Sequence, residues 1–314
     1  MSPSVAVITG PTATGKTALG VILAEALGGE VVSADSMQIY RRMDIGTAKP
    51  SPEEMRGIHH HMIDVAEPEE NYSAARYVSE AGRCVDDILS RGKLPIIVGG
   101  TGLYIDSLLL GRNFAVPGDE ALRRTLSEEY DALGPEAFHA RLREIDPQRA
   151  EKLSPNDRRR VVRAMEVYAL TGITITEHDE RSRLAPPRYD AAVIALSFAE
   201  RDCLYSRIDS RVDLMVERGL FEEVESLIRS GVPSDCTAMQ AIGYKEAVLA
   251  LRGEISRQEA VELIKRESRR YAKRQLTWLR RDKNVKWILW DSHPDFDSAR
   301  QLSTEFLSLR GIKY

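Results

Sequence analysis

Residues 10–17 of this chain read Gly10-Pro11-Thr12-Ala13-Thr14-Gly15-Lys16-Thr17, which matches the phosphate-loop pattern G-x-x-x-x-G-K-[ST] at every fixed position. The apolar run Val5–Ile8 before it has the length of a strand, and the apolar-rich segment Ala18–Leu27 after it is typical of a helix. A strand, the loop and a helix in this order form the context that the motif requires. A chance turn would not meet all of these conditions together, so we interpret residues 10–17 as a phosphate loop.

The chemistry of this loop follows from its residue types. Its glycines let the backbone bend so that N–H groups point inward as a nest for an anion. The start of the following helix adds the positive end of its dipole. Lys16 supplies a positive charge for phosphate oxygens, and the Thr17 hydroxyl is the usual ligand of Mg²⁺. The loop alone leaves open which phosphate compound binds and whether a phosphoryl group is transferred.

The composition is that of a globular protein with one large or two medium domains. The chain has 314 residues, of which 43% are hydrophobic, and a net charge of −4, so any site for a polyanion must be a local patch. Cys84, Cys203 and Cys236 are far apart and form no C-x-x-C pair, which indicates neither a zinc finger nor a disulfide framework. We find no signal peptide and no apolar run of membrane-spanning length, and we expect a cytoplasmic protein with no membrane partner.

Further strand-like runs alternate with helical segments along the chain. They are Val31–Ala34, Leu94–Val98, Ala191–Leu196 and Val285–Trp290. This alternation predicts an α/β fold with a P-loop NTPase-like parallel sheet flanked by helices. Asp35 falls where the second strand ends, and ligands of such sheets gather outside the carboxyl ends of the strands. Asp35 is therefore expected near the phosphate loop, although an Asp that caps a helix or stabilises a turn explains its position equally well.

The third strand is informative because of the residues that follow it. Val98 is followed by Gly99, Gly100 and Thr101, where a Walker B strand would end in Asp or Glu, and no N-K-x-D signature occurs in the chain. The usual partners of a phosphate loop in nucleotide hydrolases are thus not evident. His59–His61 suggest a metal site, but adjacent side chains on a strand point to opposite faces and no second group of ligands stands out.

The character of the sequence changes between about residues 113 and 186. Strand-like runs stop, and charged helical segments are predicted at Asp119–Ala132, Pro135–Glu144 and Asp157–Thr171. We interpret residues 113–186 as an all-helical insertion domain that divides the α/β core into residues 1–112 and 187–314. Arg158–Arg163 form a basic cluster, which is either a solvated helix face or a contact with an RNA backbone. A second basic helix is predicted at Arg266–Arg281.

Several of these stretches together resemble one family, the tRNA dimethylallyltransferases, also called tRNA isopentenyltransferases. The matching stretches are Gly10–Thr17, Asp35–Tyr40, Asp44–Pro50, His60–Asp64, Val98–Tyr104, Pro155–Asp157, Arg163–Tyr168, Gln240–Glu246 and Tyr271–Trp278. No single stretch is decisive, but the ordered set is very specific and covers nearly the whole chain. The departures are small: Thr14 stands where Ser or Val is common, His59 where Pro is frequent, and Arg159 where Gln is frequent. The zinc finger of eukaryotic members is not found, so the chain resembles the bacterial form.

The resemblance implies a reaction that suits the phosphate loop. Members of the family transfer the dimethylallyl group of dimethylallyl diphosphate to the exocyclic N6 amine of the adenosine just 3′ of the tRNA anticodon (position 37), and diphosphate leaves. A nest of N–H groups, a lysine and Mg²⁺ would stabilise the charge that develops on the leaving group. The adenine amine is a poor nucleophile, so a carboxylate that accepts its proton is a natural catalyst. The adenine must also leave the RNA stack to reach such a site.

The resemblance also implies roles for individual residues. Lys16, Asp35 and Thr101 would be catalytic, with Asp35 as the base, and Thr17 would be the ligand of Mg²⁺. The diphosphate or nucleotide would be bound by Gly10, Pro11, Thr12, Ala13, Thr14, Gly15, Lys16, Thr17, Arg211 and Arg274. The tRNA anticodon stem-loop would be bound by Asp35, Ser36, Met37, Gln38, Thr101, Arg123, Arg159, Arg160, Val161, Val162, Arg163, Gln240, Ala241, Ile242, Gly243, Tyr244, Lys245, Lys273, Arg274, Gln275, Trp278 and Arg280. We expect a monomer. The alternatives are a small-molecule kinase that uses ATP in the same loop, and an RNA-binding module whose phosphate loop serves as a switch.

Overall fold

Six parallel strands form a single sheet in the computed structural model, which describes residues 2–112, 118–184 and 186–312. The strands are β1 (Ser4–Thr9), β2 (Glu30–Ser33), β3 (His60–His61), β4 (Pro95–Val98), β5 (Asp190–Phe198) and β6 (Lys286–Trp290). Their order across the sheet is β3-β2-β4-β1-β5-β6, and each neighbouring pair is parallel. This architecture confirms the predicted α/β fold with a P-loop NTPase-like core.

Helices account for most of the other described residues. They are α1 (Lys16–Leu27), α2 (Pro52–Met55), α3 (Ala74–Ser90), α4 (Gly102–Leu110), α5 (Glu120–Leu133), α6 (Pro135–Ile145), α7 (Pro147–Lys152), α8 (Arg158–Thr171), α9 (Ile175–Leu184), α10 (Arg201–Glu217), α11 (Leu220–Arg229), α12 (Tyr244–Leu251), α13 (Arg257–Leu279) and α14 (Phe296–Leu309). None of the helices in the described ranges combines the length and the apolar character that crossing a membrane requires.

Most residues of β1, β4 and β5 are apolar and buried, as expected for parallel strands whose two faces are both covered by helices. One large core contains Leu19 and Leu23 of α1, Ile8 of β1, and Ala299 and Leu307 of α14, all buried. Tyr77 of α3 is also fully buried, and its hydroxyl donates to the carbonyl of Ser33 at the end of β2 (2.9 Å). The phosphate loop and the ends of β2 and β4 therefore rest on a rigid base.

The chain divides into two compact units. The α/β unit contains residues Met1–Leu109 and Arg188–Tyr314, and the helical unit contains Leu110–Pro187, with α5–α9. The predicted domain boundary at residue 113 lies outside the described residues. The helical unit has its own core, in which Phe138, Leu142 and Val161 are fully buried. An all-helical insertion was predicted as part of the fold, and the structure confirms it.

Some elements were missed or displaced in the sequence analysis. The short helices α2 and α7 and the two-residue strand β3 were not predicted. Helix α9 was missed because its segment, Ile175–Leu184, is charged and has no apolar stripe. Helix α13 begins at Arg257, nine residues before the predicted start, because Ser256 and Glu259 form a capping box there.

Candidate active site

Three loops meet at the carboxyl edge of the sheet, where β2, β4 and β1 lie side by side. The phosphate loop follows β1, the Gly99–Thr101 turn follows β4, and Asp35 follows β2. Backbone hydrogen bonds join the starts of these loops: Gly99 N–H donates to the carbonyl of Ile8 (3.1 Å), and Thr101 N–H donates to the carbonyl of Ala34 (3.1 Å). Three segments far apart in sequence are thus held at one edge, as expected for a ligand site in an open α/β sheet.

The phosphate loop is held in one conformation by contacts around it. Gly10 has a φ of 140°, and a Cβ at this position would lie 2.2 Å from the carbonyl oxygen of Leu196, so only glycine fits. The Thr14 hydroxyl donates to the carbonyl of Pro11 (2.9 Å), and the indole N–H of Trp290 donates to the carbonyl of Thr14 (3.0 Å). The loop is therefore shaped before any ligand arrives.

Two cations in the site make no ion pair with a carboxylate in the described part of the chain. Lys16 is half-buried, and its ammonium donates to the carbonyl of Pro11 (2.7 Å). Burial, together with the nearby Arg211, lowers the pKa of Lys16 to about 7, against the opposing effect of Asp35. Burial also lowers the pKa of Arg211, whose Nε finds no hydrogen-bond partner among the described residues. Two half-buried cations that repel each other form a site prepared for an anion of high charge.

The residues around this loop also suit Mg²⁺. Within the described ranges the Thr17 hydroxyl makes no hydrogen bond, so its oxygen is available as a ligand. The described residues contain no group of three or more His, Cys, Asp or Glu that could hold a metal ion. Mg²⁺ commonly binds through one or two protein oxygens, with phosphate oxygens and water completing the shell. The His pair of β3 has other partners: His61 Nε2 lies 2.8 Å from a Glu30 carboxylate oxygen, and His60 Nδ1 lies 2.9 Å from the carbonyl oxygen of Ile58.

Asp35 stabilises a turn with one oxygen and leaves the other without a partner. Its Oδ1 accepts from the backbone N–H of Met37 (2.9 Å) and of Gln38 (3.4 Å). Its Oδ2 has no hydrogen-bond partner in the described chain. Asp35 therefore does stabilise a turn, as one of the two explanations from sequence proposed. A second role is compatible with this, because the turn fixes the carboxylate while one oxygen remains available to a substrate.

Thr101 ties the turn after β4 to the turn that carries Asp35. Its Oγ1 accepts from the Ser36 N–H (3.1 Å) and donates to the Ser36 hydroxyl (3.3 Å). Tyr271 of α13 belongs to the same group of residues, although we did not predict it as a site residue. Burial, together with the charge of Asp35, raises the pKa of Tyr271 to about 12, while the Thr101 and Gln275 side chains oppose the increase. The phenol is therefore a protonated, neutral group near the carboxylate.

The segment Asp44–Ala48 is positioned by a carboxylate from a distant helix. Glu223 of α11 accepts from the backbone N–H groups of Asp44 (2.8 Å), Ile45 (2.8 Å) and Gly46 (3.2 Å), and from the Tyr244 hydroxyl. From the other side, the Gln38 amide donates to the carbonyls of Thr47 (3.3 Å) and Ala48 (3.2 Å). The motifs around residues 38, 46 and 244 thus form one network that supports the turn of Asp35.

The structure distributes the other predicted site residues of the α/β unit between surface and interior. Lys273, Arg274, Gln240 and Arg280 are exposed, and Ser36, Met37, Ile242, Lys245 and Trp278 are half-buried. Ala241, Gly243, Tyr244 and Gln275 are buried. The Trp278 indole donates to Asp106 (2.8 Å) and packs where a Cβ on Gly102 would lie. Sequence periodicity indicated a basic helix here, but not which of its residues face inward.

In the helical unit most of the predicted RNA-binding arginines have carboxylate partners. Glu166, which is fully buried, is paired with Arg123 (3.1 Å) and Arg163 (2.7 Å), and Arg160 is paired with Asp157 (2.7 Å). Arg159 is exposed and makes no ion pair among the described residues.

The apolar residues of the same cluster face the interior. Val161 and Val162, also predicted to bind tRNA, have side chains that are 0% and 3% exposed and pack in the core of the helical unit. Their side chains therefore cannot contact RNA in this structure. The cluster is in part an ion-paired helix face, and Arg159 is its unpaired member.

Comparisons with known proteins identify the family of the chain. The family model described as IPP transferase matches residues 38–282. A tRNA dimethylallyltransferase of Acetivibrio thermocellus is 49% identical over 99% of this chain and 96% of its own length, and one of Geobacter sulfurreducens is 49% identical over 96% of both chains.

Two solved structures are similar along the whole chain. The tRNA isopentenylpyrophosphate transferase of Bacillus halodurans has a TM-score of 0.72 and 42% identity, and covers 98% of each chain. A eukaryotic dimethylallyltransferase described as acting on tRNA has a TM-score of 0.82 and 32% identity, over 100% of this chain and 81% of its own. The matched residues and these identities show that the chain belongs to the tRNA dimethylallyltransferase (IPP transferase) family.

Proposed function

We propose that this chain transfers the dimethylallyl group of dimethylallyl diphosphate to the N6 amine of the adenosine at position 37 of tRNA, and releases diphosphate. The observation that carries the proposal is the pair of half-buried cations, Lys16 and Arg211, which both interact electrostatically with the Asp35 carboxylate. A site with this composition can accept charge on a leaving group and a proton from a nucleophile in one step.

The reaction balances with the residues at hand. N6 forms a bond to the allylic carbon while the bond from that carbon to the diphosphate oxygen breaks, and the electron pair leaves with diphosphate. Lys16 and Arg211 stabilise the charge that gathers on the leaving oxygens. The proton of N6 passes to Asp35, whose Oδ2 is unpaired in the described chain. Mg²⁺, held by Thr17 and phosphate oxygens, would neutralise part of the diphosphate charge when bound.

A kinase that uses ATP in the same loop is the alternative reaction. A phosphoryl transfer enzyme normally holds Mg²⁺ with an acidic residue at the end of a core strand. Here β4 ends at Val98 and is followed by Gly99 and Gly100. A dissociating diphosphate needs positive charge but no residue that orients a γ-phosphate, so the absence of a carboxylate directly after β4, the strand beside β1, favours alkyl transfer. The carboxylate that follows β2, Asp35, holds its own turn through Met37 and Gln38.

RNA binding is assigned to exposed basic residues on both units. We propose that Arg159 of α8 and Lys273, Arg274 and Arg280 of α13 contact the RNA backbone, because their side chains are exposed. We expect the chain to act as a monomer, since the proposed donor and acceptor residues all belong to one chain. We also expect it to act in the cytoplasm, consistent with three free cysteines.

The test uses labelled substrates. The full-length protein is incubated with Mg²⁺ and either dimethylallyl diphosphate labelled in its alkyl group or ATP labelled in its γ-phosphate, with and without an anticodon stem-loop RNA. We expect the alkyl label to enter the RNA only when A37 is present, and an otherwise identical RNA with G37 is the control. Transfer of the phosphate label to a small molecule or to RNA, without alkyl transfer, would contradict the proposal.

A further inference from the structure

We propose that Gln275 is a positioning residue that holds the phosphate loop and the Gly99–Thr101 turn at a fixed separation, rather than a residue that contacts tRNA. The inference rests on the proposed function, because it concerns the alignment of the prenyl donor with its acceptor. It changes the role that the family resemblance implied for Gln275.

The two ends of the Gln275 amide bind different parts of the site. Its Oε1 accepts from the backbone N–H of Thr12 in the phosphate loop (3.0 Å), and its Nε2 donates to the carbonyl of Gly100 (2.9 Å). Gln275 is 263 residues from the first partner and 175 from the second, so the bridge exists only in the folded chain. The side chain therefore connects the loop after β1 with the turn after β4.

The surroundings of Gln275 leave little space for another role. The residue is 7% exposed, whereas its helix neighbours Lys273 and Arg274 are exposed. A Cβ on Gly100 would lie 2.2 Å from Nε2 of Gln275, so glycine is required for the amide to approach the turn. Both ends of this amide are engaged by protein groups, and at 7% exposure little of it is within reach of RNA.

The helix that carries Gln275 is itself fixed. Ala272 and Leu279 on either side of it are 0% and 2% exposed, and Ala272 belongs to the large core next to the sheet. The amide therefore projects from a rigid element.

The bridge demands glutamine in particular. The Thr12 N–H needs an acceptor and the Gly100 carbonyl needs a donor, and glutamine supplies both at the end of one chain of this length. Glutamate has the same shape but only acceptors when ionised, and methionine has the length but neither group.

The bridge matters because the two reacting partners are proposed to bind to different loops. The diphosphate belongs to the phosphate loop, while Thr101 and the Asp35 turn serve the adenine. A displacement at carbon needs the nucleophile and the leaving group aligned, and a misplacement of about 1 Å costs on the order of 10²-fold in rate. Loss of the bridge should therefore slow transfer between bound substrates without lowering the affinity for RNA.

The test compares Gln275→Met and Gln275→Glu with the wild type, and uses Lys273→Ala as the matched variant on the exposed face of the same helix. Single-turnover transfer at saturating substrates should fall by about 10- to 100-fold in both Gln275 variants. Their affinity for the stem-loop and its salt dependence should stay at the wild-type values. Lys273→Ala should show the reverse pattern, with weaker RNA binding and a flatter salt dependence.

A second measurement does not depend on catalysis. Hydrogen–deuterium exchange of the peptide that covers residues 10–17 should lose protection in Gln275→Met, where the Thr12 N–H has no acceptor, and keep most of it in Gln275→Glu. If the wild-type protein transfers no prenyl group, the proposed function is refuted, but hydrogen–deuterium exchange still tests whether Gln275 bridges Thr12 and Gly100. Unchanged exchange at residues 10–17 would overturn the inference, and so would a Gln275→Met variant whose only defect is weaker RNA binding. Exchange that increases throughout the chain would also overturn it, because Gln275 would then be a general stability residue.

Discussion

The depressed pKa of Lys16 predicts that diphosphate binding takes up a proton. With a pKa of about 7, Lys16 is charged in only about one molecule in ten at pH 8. A bound diphosphate places several negative charges near the ammonium and raises its pKa, so the complex contains a charged lysine. Binding of dimethylallyl diphosphate at pH 8 should therefore take up close to one proton.

The same reasoning gives the direction and size of the pH dependence. Above pH 7 the free protein loses the Lys16 proton while the complex keeps it, so affinity for the donor should fall by up to about tenfold per pH unit. The assay is isothermal titration calorimetry at pH 8 in two buffers of different ionisation enthalpy, without RNA. Lys16→Met is the control, because it keeps the length of the side chain without the titrating group. Equal proton uptake by the wild type and Lys16→Met would refute the reasoning.

Lys16→Met should also be more stable than the wild type at neutral pH. The shift from 10.5 to about 7 corresponds to about 5 kcal/mol between the two protonation states, as an order of magnitude. Between these pH values the unfolded chain binds a proton that the native chain does not, so the stability of the wild type rises with pH. The advantage of the variant in urea unfolding should accordingly shrink from pH 7 to pH 10, and an advantage independent of pH would contradict the assignment.

Five further substitutions, two of them matched comparisons, test other residues. Asp35→Asn should bind both substrates, since Asn can still accept from Met37 N–H, while single-turnover transfer falls by about 10²–10⁴-fold; near-normal transfer would exclude Asp35 as the base. Arg159→Ala should reduce the slope of log affinity for RNA against log salt concentration by about 0.7–0.9, and an unchanged slope would mean that α8 presents only a solvated face. Arg163→Ala should instead lower the free energy of unfolding by about 1–3 kcal/mol, because it removes a partner of the buried Glu166. Glu223→Gln should expose residues 44–48 to proteolysis and lower the free energy of unfolding by about 1.5–3 kcal/mol. The substitution Glu222→Gln at the exposed neighbouring position should do neither. Identical digestion of the two variants would show that the loop does not depend on Glu223.

The features that were predictable from sequence are those encoded within short stretches. The phosphate loop Gly10–Thr17 and the apolar strands around it are local patterns, and the sheet that follows from them was confirmed. The edge location of Asp35 followed from general rules for open α/β sheets, because those rules depend on strand ends rather than on particular contacts.

The features that were not predictable depend on contacts between distant residues. Gln275 and Thr12 are 263 positions apart, and no local pattern distinguishes a buried glutamine on a basic helix from an exposed one. Glu166 and Arg123 are separated by 43 positions, so the sequence showed a basic cluster without the carboxylate that neutralises part of it. Val161 and Val162 were assigned to RNA through the resemblance alone, and burial became visible only when the helices packed.

The backbone where the chain leaves and re-enters the α/β unit has a consequence for how such a protein can vary. The N–H groups of Arg188 and Tyr189 both donate to the carbonyl of Leu109 (2.9 and 3.3 Å), so the two exits of the inserted segment are adjacent. Because the inserted segment starts and ends at adjacent points, it does not have to bridge a fixed distance. The entropy cost of closing such a loop also grows only slowly with its length. Residues can therefore be inserted into or deleted from the inserted segment with little effect on the register of β5 beside β1. The inserted segment is therefore a place where the chain can change in length and surface while the sheet and the edge that carries Asp35 remain the same.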